Sequence, residues 1–368
     1  MEKENKKKIS LAAIDTYVAS NIVSAKESEI RGRDFIEWGT NNRYPQYVWG
    51  LNQEVTLLRT IINGIADYTV GDNVSITYAP WEKQVNKDGD TVEDIVRNIS
   101  ADYARYGGFA INVIRNKVGG IAEIYYLDFK NIRSDKKNEF FFYSEDWDKS
   151  YGRVKYMTYP KFRADGKEYS SIYYYKNSKN TVYPLSPIAG DAAVAAETEK
   201  AISQFHLNAI SNGFSASVII NFNNGQPDDE EKEEIEKNLN EKFGGYQNAA
   251  RIMAAFNNGK ENEVTISKLD IDNFGERYQS LSKATKQEIY SAYRAQPVIF
   301  GLPSENIGFS DQDIQEAWKL FNTTVIIPIQ KIIKLAFEKI LEQKDVLVFT
   351  PMTIDWSSDK KETVISVK

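Results

Sequence analysis

Residues 292–340 read AYRAQPVIFGLPSENIGFSDQDIQEAWKLFNTTVIIPIQKIIKLAFEKI: the end of a polar helix, a loop punctuated by glycine and proline, then a long apolar-striped segment. Ile314, Ala317, Trp318, Phe321, Val325, Ile329, Ile333, Ala336 and Ile340 recur at steps of three and four, the period of one buried helical face. Ser310 stands where an N-cap is needed, and Asp313 three residues on supplies the other half of a capping box. Pro328 falls deep inside the pattern, where it has no N–H to donate and its ring crowds the preceding turn. Two readings follow from these residues alone, a kinked helix or two helices meeting at the proline.

The rest of the chain narrows the functional classes. At 368 residues and 42% apolar content it can bury a sizeable core in two or three domains. The N-terminus MEKENKKK lacks the apolar stretch of a secretory signal, and no uninterrupted run of about 18 apolar residues occurs. The expectation is a soluble protein made in the cytoplasm, with no membrane partner. The absence of cysteine removes disulfides, thiolate zinc sites, iron–sulfur clusters and cysteine nucleophiles. His206 is the single histidine and lies in a helical pattern between Phe205 and Leu207, which suits packing better than proton transfer. No phosphate-binding loop, nucleophile elbow, zincin motif or dinucleotide fingerprint occurs, so neither cofactor nor metal is expected. A net charge of −6 argues against a broad grip on nucleic acid, which needs excess cations to neutralise phosphates.

Two helical patterns come first, one carrying Val55, Leu58, Ile61, Ile62 and Ile65, the other Val92, Ile95, Val96, Ile99 and Tyr103, with an extended run at 73–78 between them. Strands then dominate at 109–115, 122–127, 140–143, 154–159 and 171–175. The 22 tyrosines fit such strands, and also admit an aromatic face for sugars. An alanine-rich helix follows at 189–213, startable at Asp191 and stopped by Gly213. A compact α/β segment comes next, with strands at 217–222, 251–256 and 263–268. Between the first two lies a helix at 228–243 bearing eight acids and three lysines. A second long helix covers 273–295, whose narrow apolar stripe needs a partner helix. Residues 346–356 read as a last strand able to rejoin the first sheet.

This order of elements resembles the portal proteins of tailed bacteriophages of the siphovirus type. The resemblance rests on YGGFAINVIRN at 106–116, EIYYLDFKNIR at 123–133, the Ser186-Pro187-Ile188 opening, KFGGYQNAARIMAAFNNGK at 242–260 and the segment 292–340. It implies an α+β, portal-like fold. The parts are a flexible N-terminal arm 1–20, a wing 21–185, a first stem helix 186–213 and a clip 214–269. A second stem helix 270–295, a tunnel loop 296–310, a kinked tunnel helix 311–344, and a wing-returning strand with a short tail 345–368 complete the chain. The implied function is a ring, a dodecamer by resemblance, through which DNA enters and leaves at one capsid vertex of the virion. It docks the terminase packaging motor, where ATP hydrolysis resides, and then the head–tail connector.

Residue by residue, the resemblance puts Pro303, Ser304, Glu305, Asn306, Ile307, Gly308 and Phe309 against double-stranded DNA in the channel, with Pro303 and Phe309 anchoring the loop. Ile314, Trp318, Phe321, Val325, Pro328 and Ile329 become subunit-packing positions. Glu233, Glu234 and Glu241 become the clip docking surface. Partners are further copies of the chain, the terminase large subunit, a head–tail adaptor, and the major capsid and scaffold proteins. Few residues follow Trp356, which leaves a C-terminal crown minimal or missing. The alternatives are a carboxylate-based carbohydrate-active enzyme with an aromatic cleft, and another capsid or adaptor protein.

Overall fold

The computed structural model describes residues 10–12, 22–147, 154–211, 218–222, 234, 252–256, 265–268, 274–301 and 311–352. The chain divides into a larger unit, 23–193 with 288–368, and a smaller one, 1–22 with 194–287.

Chain order in the larger unit begins after β1 (Ser10–Ala12), which belongs to the smaller one. A short antiparallel pair, β2 (Ser28–Glu29) and β3 (Ile36–Glu37), leads to α1 (Tyr44–Glu54) and α2 (Thr56–Val70). After β4 (Asn73–Ile76) comes α3 (Val92–Tyr106), which opens with a reciprocal cap. The Asp94 N–H donates to Thr91 Oγ1 at 3.2 Å and the Thr91 N–H donates to Asp94 Oδ2 at 2.9 Å. Leu58, Ile61 and Ile62 of α2 and Ile95, Val96 and Ile99 of α3 are fully buried. Each such side chain contributes about 1.5–3 kcal/mol of hydrophobic stabilisation.

Behind this helix layer β5 (Gly108–Arg115) is the centre of an antiparallel sheet, flanked by β6 (Ile121–Leu127) and β10 (Ser170–Lys176). A second three-stranded sheet orders β7 (Ile132–Ser134), β8 (Phe140–Tyr143) and β9 (Met157–Pro160). Tyr44, Tyr106, Tyr183, Tyr290 and Tyr293 are core residues, and most of the other described tyrosines are half-buried. Trp38 stacks on Tyr183 with centroids 4.4 Å apart, and Phe129, Tyr106 and Tyr44 pack around that indole. Buried phenols donate to backbone carbonyls, Tyr44 to Ile188 O at 2.8 Å and Tyr183 to Ile36 O at the start of the short strand β3. An apolar ring with a polar tip suits such places, where a buried carbonyl needs a donor.

The last strand, β14 (Leu347–Thr350), pairs antiparallel with β4, Leu347 opposite Ile76 and Thr350 opposite Asn73. It therefore returns to a separate two-stranded ribbon and not to the β10-β5-β6 sheet.

In the smaller unit β1, β12 (Ile252–Phe256), β11 (Val218–Phe222) and β13 (Thr265–Lys268) lie in that order, with only β11 and β12 parallel. Parallel neighbours need a crossover of a dozen or more residues, and 223–251 supplies it; within it Glu234 is helical and exposed. Ser10–Ala12, inside the span read as a flexible arm, is ordered by main-chain pairing with β12. Helices α4 (Asp191–Ser211) and α5 (Phe274–Tyr293) also meet in this unit. Phe205 stacks on Tyr278 at 4.7 Å, and Glu199 accepts from Thr285 Oγ1 at 2.9 Å and Ser282 Oγ at 3.1 Å. The narrow apolar stripes are thus supplemented by a polar clasp that periodicity does not reveal.

Pro328 neither breaks nor ends its helix. Helix α6 (Asp311–Phe321) runs through a π-helical stretch, Asn322–Ile326, into α7 (Ile327–Leu341). Phe321 (φ −62°, ψ −47°) and Ile327 (φ −56°, ψ −42°) are both right-handed helical. The Ile327 N–H reaches back five residues to Asn322 O, so the widened turn just ahead of Pro328 takes up the misfit that its ring and missing N–H impose. By length and composition Gln312–Leu341 is apolar enough to cross a membrane, which its scattered polar residues hid from a search for uninterrupted runs. Phe321, Ile326, Ile329, Ile333, Ala336, Phe337 and Ile340 are instead buried in their own unit. Packing accounts for one face of that apolarity, about a third of the most apolar window being buried.

Candidate functional site: the mount of the 302–310 loop

The described residues on either side of 302–310, Arg294–Gly301 and the helix α6, are both fastened to α2. On the N-terminal side Arg294 takes a left-handed φ of 51° after α5, and Pro297–Phe300 forms a single 3-10 turn. Gly301 closes that turn at φ +74°, a conformation costly for a residue with a Cβ. The Phe300 ring then lies over Gly64, where an added Cβ would come within 2.6 Å of it. A glycine in the middle of a helix costs about 1 kcal/mol relative to alanine. Here that cost admits the ring.

Tyr68, one turn on, completes the mount. Its hydroxyl donates to Ile299 O at 2.8 Å, and its ring makes edge contacts with Phe300 (6.0 Å), Trp318 (4.8 Å) and Phe321 (6.2 Å). Phe300 and Phe321 also meet edge to face at 5.7 Å. Ile299 and Phe300 on one side and Trp318 and Phe321 on the other are therefore clamped on one tyrosine. Lower on the same helix the Gln330 amide donates to Thr69 O at 2.8 Å, satisfying a carbonyl at the C-terminal end of α2.

The residues assigned from sequence distribute differently. Pro303, Ser304, Glu305, Asn306, Ile307, Gly308 and Phe309 lie outside the described residues, as do Glu233 and Glu241 of the acidic helix. The anchoring seen among the described residues uses Phe300, Trp318 and Phe321. Phe321 and Ile329 are 0% and 4% exposed within their own chain, so they are not available to a neighbouring subunit. The stripe regularity that suggested a subunit seam is spent on the intrachain core. Ile314, Trp318 and Val325 are half-buried and Pro328 is exposed. The apolar side chains left on the opposite face are Leu320 and Leu335, each 54% exposed. Tyr68, Gly64 and Phe300 were missed; the signal available was Gly64 itself, a glycine inside a strongly apolar helical pattern.

This mount can be dissected by a thermodynamic cycle. Gly64→Ala alone is expected to leave stability unchanged or lower, because the gain in helix propensity is offset by the clash with Phe300. In a Phe300→Ala background the same change should stabilise by about 1 kcal/mol. Additive effects in denaturant unfolding would show that the ring does not press on Gly64.

A profile of the family described as Phage portal protein matches residues 72–360, most of the chain and all of the helix following the loop. The chain belongs to the phage portal protein family. Solved structures share its fold. One, the virion of a native gene transfer agent particle, is 15% identical with a TM-score of 0.53, covering 89% of this chain and 86% of that one. Another, an HK97-family phage portal protein from Corynebacterium diphtheriae, is 10% identical at 0.52, covering 82% and 95%. A third, the neck of a native gene transfer agent particle computed with C12 symmetry, is 16% identical at 0.50, covering 79% and 80%. No curated protein sequence matches the chain. Membership of this structural family leaves the carbohydrate-active alternative without support, and the burial of Tyr44, Tyr106 and Tyr183 removes those rings from any sugar-binding face.

Proposed function

We propose that this chain assembles into the portal ring of a tailed-phage particle, with Pro303–Phe309 of the tunnel loop 296–310 facing DNA in the channel. The observation carrying this reading is the family match from 72 to 360; the double fastening of the loop on Tyr68 supports it physically. A segment in contact with a moving duplex must follow it while its ends stay fixed, and a rigid scaffold under a loop meets that need. In this reading 21–185 is the wing, 186–213 and 270–295 are stem helices, 214–269 is the clip and 311–344 the tunnel helix. A dodecamer is the expected ring, and terminase, a head–tail adaptor, and capsid and scaffold proteins are the expected partners.

A chain with net charge −6 has no excess of cations with which to hold phosphates by counterion release, which favours passage over retention. The acidic 228–243 segment, with Glu234 helical and exposed, is suited to steering basic partners. Particles assembled from variants test both parts. Deleting Ser304–Ile307 should leave rings intact and reduce DNA-filled heads at least about tenfold, as loss of a positioning contact does. Reversing Glu233, Glu234 and Glu241 to lysine should weaken motor or adaptor binding without disturbing the ring. Normal filling by the deletion variant would remove the loop from the channel; unchanged partner affinity would make the acidic segment solvated surface only.

A further inference from the structure

The larger unit holds a cavity of about 760 Å³ between the end of β10, the Lys161–Ala164 stretch and the C-terminal end of α7. Lys161, Lys176, Lys179 and Lys339 line it, with Glu342 as the one acid. Lys161 shares Glu139 at 3.4 Å and Lys176 donates to Thr181 O, whereas Lys179 and Lys339 have no ion-pair partner among the described residues.

One wall of this cavity is an open sheet edge. β10 is the outer strand of the β10-β5-β6 sheet. The Arg115 N–H donates to Tyr169 O and the Asn177 N–H donates to Gly107 O, so odd-numbered residues of β10 bond to β5. In an antiparallel ladder the alternate residues turn N–H and C=O outward. Ile172 obeys this, its carbonyl accepting from the Phe162 N–H at 2.8 Å. Beyond it Tyr174 and Lys176 each direct an N–H and a C=O away from β5, with no backbone partner for them among the described residues.

We propose that the free edge of β10 at Tyr174 and Lys176 is a docking site for an extended acidic segment of a partner protein. The segment adds as a further strand and sets its carboxylates against Lys179 and Lys339. Donor and acceptor repeat along this edge every second residue, about 6.6 Å apart, which an extended peptide matches. A nucleic-acid backbone carries acceptors only and satisfies half of those groups. Lysines on an edge repel apolar or basic strands and admit acidic ones, so the lysine-rich residues 1–9 of a second copy are disfavoured. This site is separate from the loop mount and does not depend on ring formation.

The test uses the full-length protein and a labelled peptide of alternating valine and glutamate, read by fluorescence anisotropy. Three comparison probes are the same peptide with alternate amides N-methylated, an alternating valine–lysine peptide, and a short DNA duplex. The valine–glutamate peptide should bind, and the valine–lysine peptide and the duplex should not. N-methylation should weaken binding at least about tenfold through loss of ladder hydrogen bonds. The double variant K179E/K339E should weaken it by about tenfold through loss of two exposed pairs. No binding at about 1 mM peptide, or affinity indifferent to N-methylation or to charge reversal, overturns the proposal. Duplex binding abolished by K179E/K339E reassigns the cavity to phosphate recognition.

Discussion

Replacing Tyr68 by alanine is expected to lower the stability of the larger unit by about 4 kcal/mol, from three edge contacts near 1 kcal/mol each and one lost hydrogen bond of about the same size. The change removes the ring on which Phe300, Trp318 and Phe321 converge and leaves Ile299 O without its donor. For a unit of this size the midpoint of thermal unfolding should fall by roughly 8–16 °C. Tyr68→Phe isolates the hydrogen bond and should cost only about 1 kcal/mol. In Tyr68→Ala the amide of Gly301, held on Val298 O and Pro297 O, should exchange with solvent faster than in wild type. A variant within 1 kcal/mol of wild type, with unchanged exchange at Gly301, would mean that the loop ends are held by something other than this tyrosine.

Stability should also depend on pH through Asp102. This carboxyl is fully enclosed on α3, and loss of hydration raises its pKa to about 7. Arg105 at 3.2 Å opposes that rise and Asp128 adds to it; Tyr126 OH at 2.9 Å and the Phe129 N–H at 3.2 Å donate to the ionised form. Because the folded value lies above the ordinary 3.8, the contribution of this group is fully present below about pH 4 and is lost as pH rises through about 7. A shift of about three units corresponds to a change on the order of 4 kcal/mol across that interval. Asp102→Asn abolishes the titration, so the variant should gain on wild type from about pH 4 to about pH 7 and hold that gain above it in denaturant unfolding. Parallel stability curves for the two proteins would show that Asp102 is ionised in the native state throughout.

Local pattern carried much of this fold and little of its tertiary economy. Thr56–Val70 and Val92–Tyr106 were legible from their apolar period, and Asp191–Ser211 from its alanine-rich run opened by Asp191 and stopped by Gly213. The strands 108–115 and 121–127 were legible from β-branched and aromatic runs bounded by turn residues. Helix α1 was missed because YPQYVWGLNQE mixes a proline at its start with a glycine inside, and burial of Tyr44, Val48 and Leu51 holds it in place. Pro328 illustrates the limit of a breaker rule. The rule names the lost hydrogen bond, but not the wider turn at Asn322–Ile326 that absorbs the proline without ending the helix. The apolar stripe of 314–340 showed that a face is buried and could not say whether its cover is the same chain or a neighbour. The structure gives Phe321 and Ile329 to the same chain. The loop mount was hidden because it joins Gly64 and Tyr68 to residues more than 200 positions away, a pairing that no local period encodes.

Native mass spectrometry of the purified full-length protein, supported by negative-stain images, tests the central claim most directly. The account predicts a closed cyclic oligomer, a dodecamer by expectation, in coexistence with monomer at low concentration, with an open centre and apolar Leu320 and Leu335 available for assembly contacts. Compact monomers alone, at every concentration and salt tried, would contradict it.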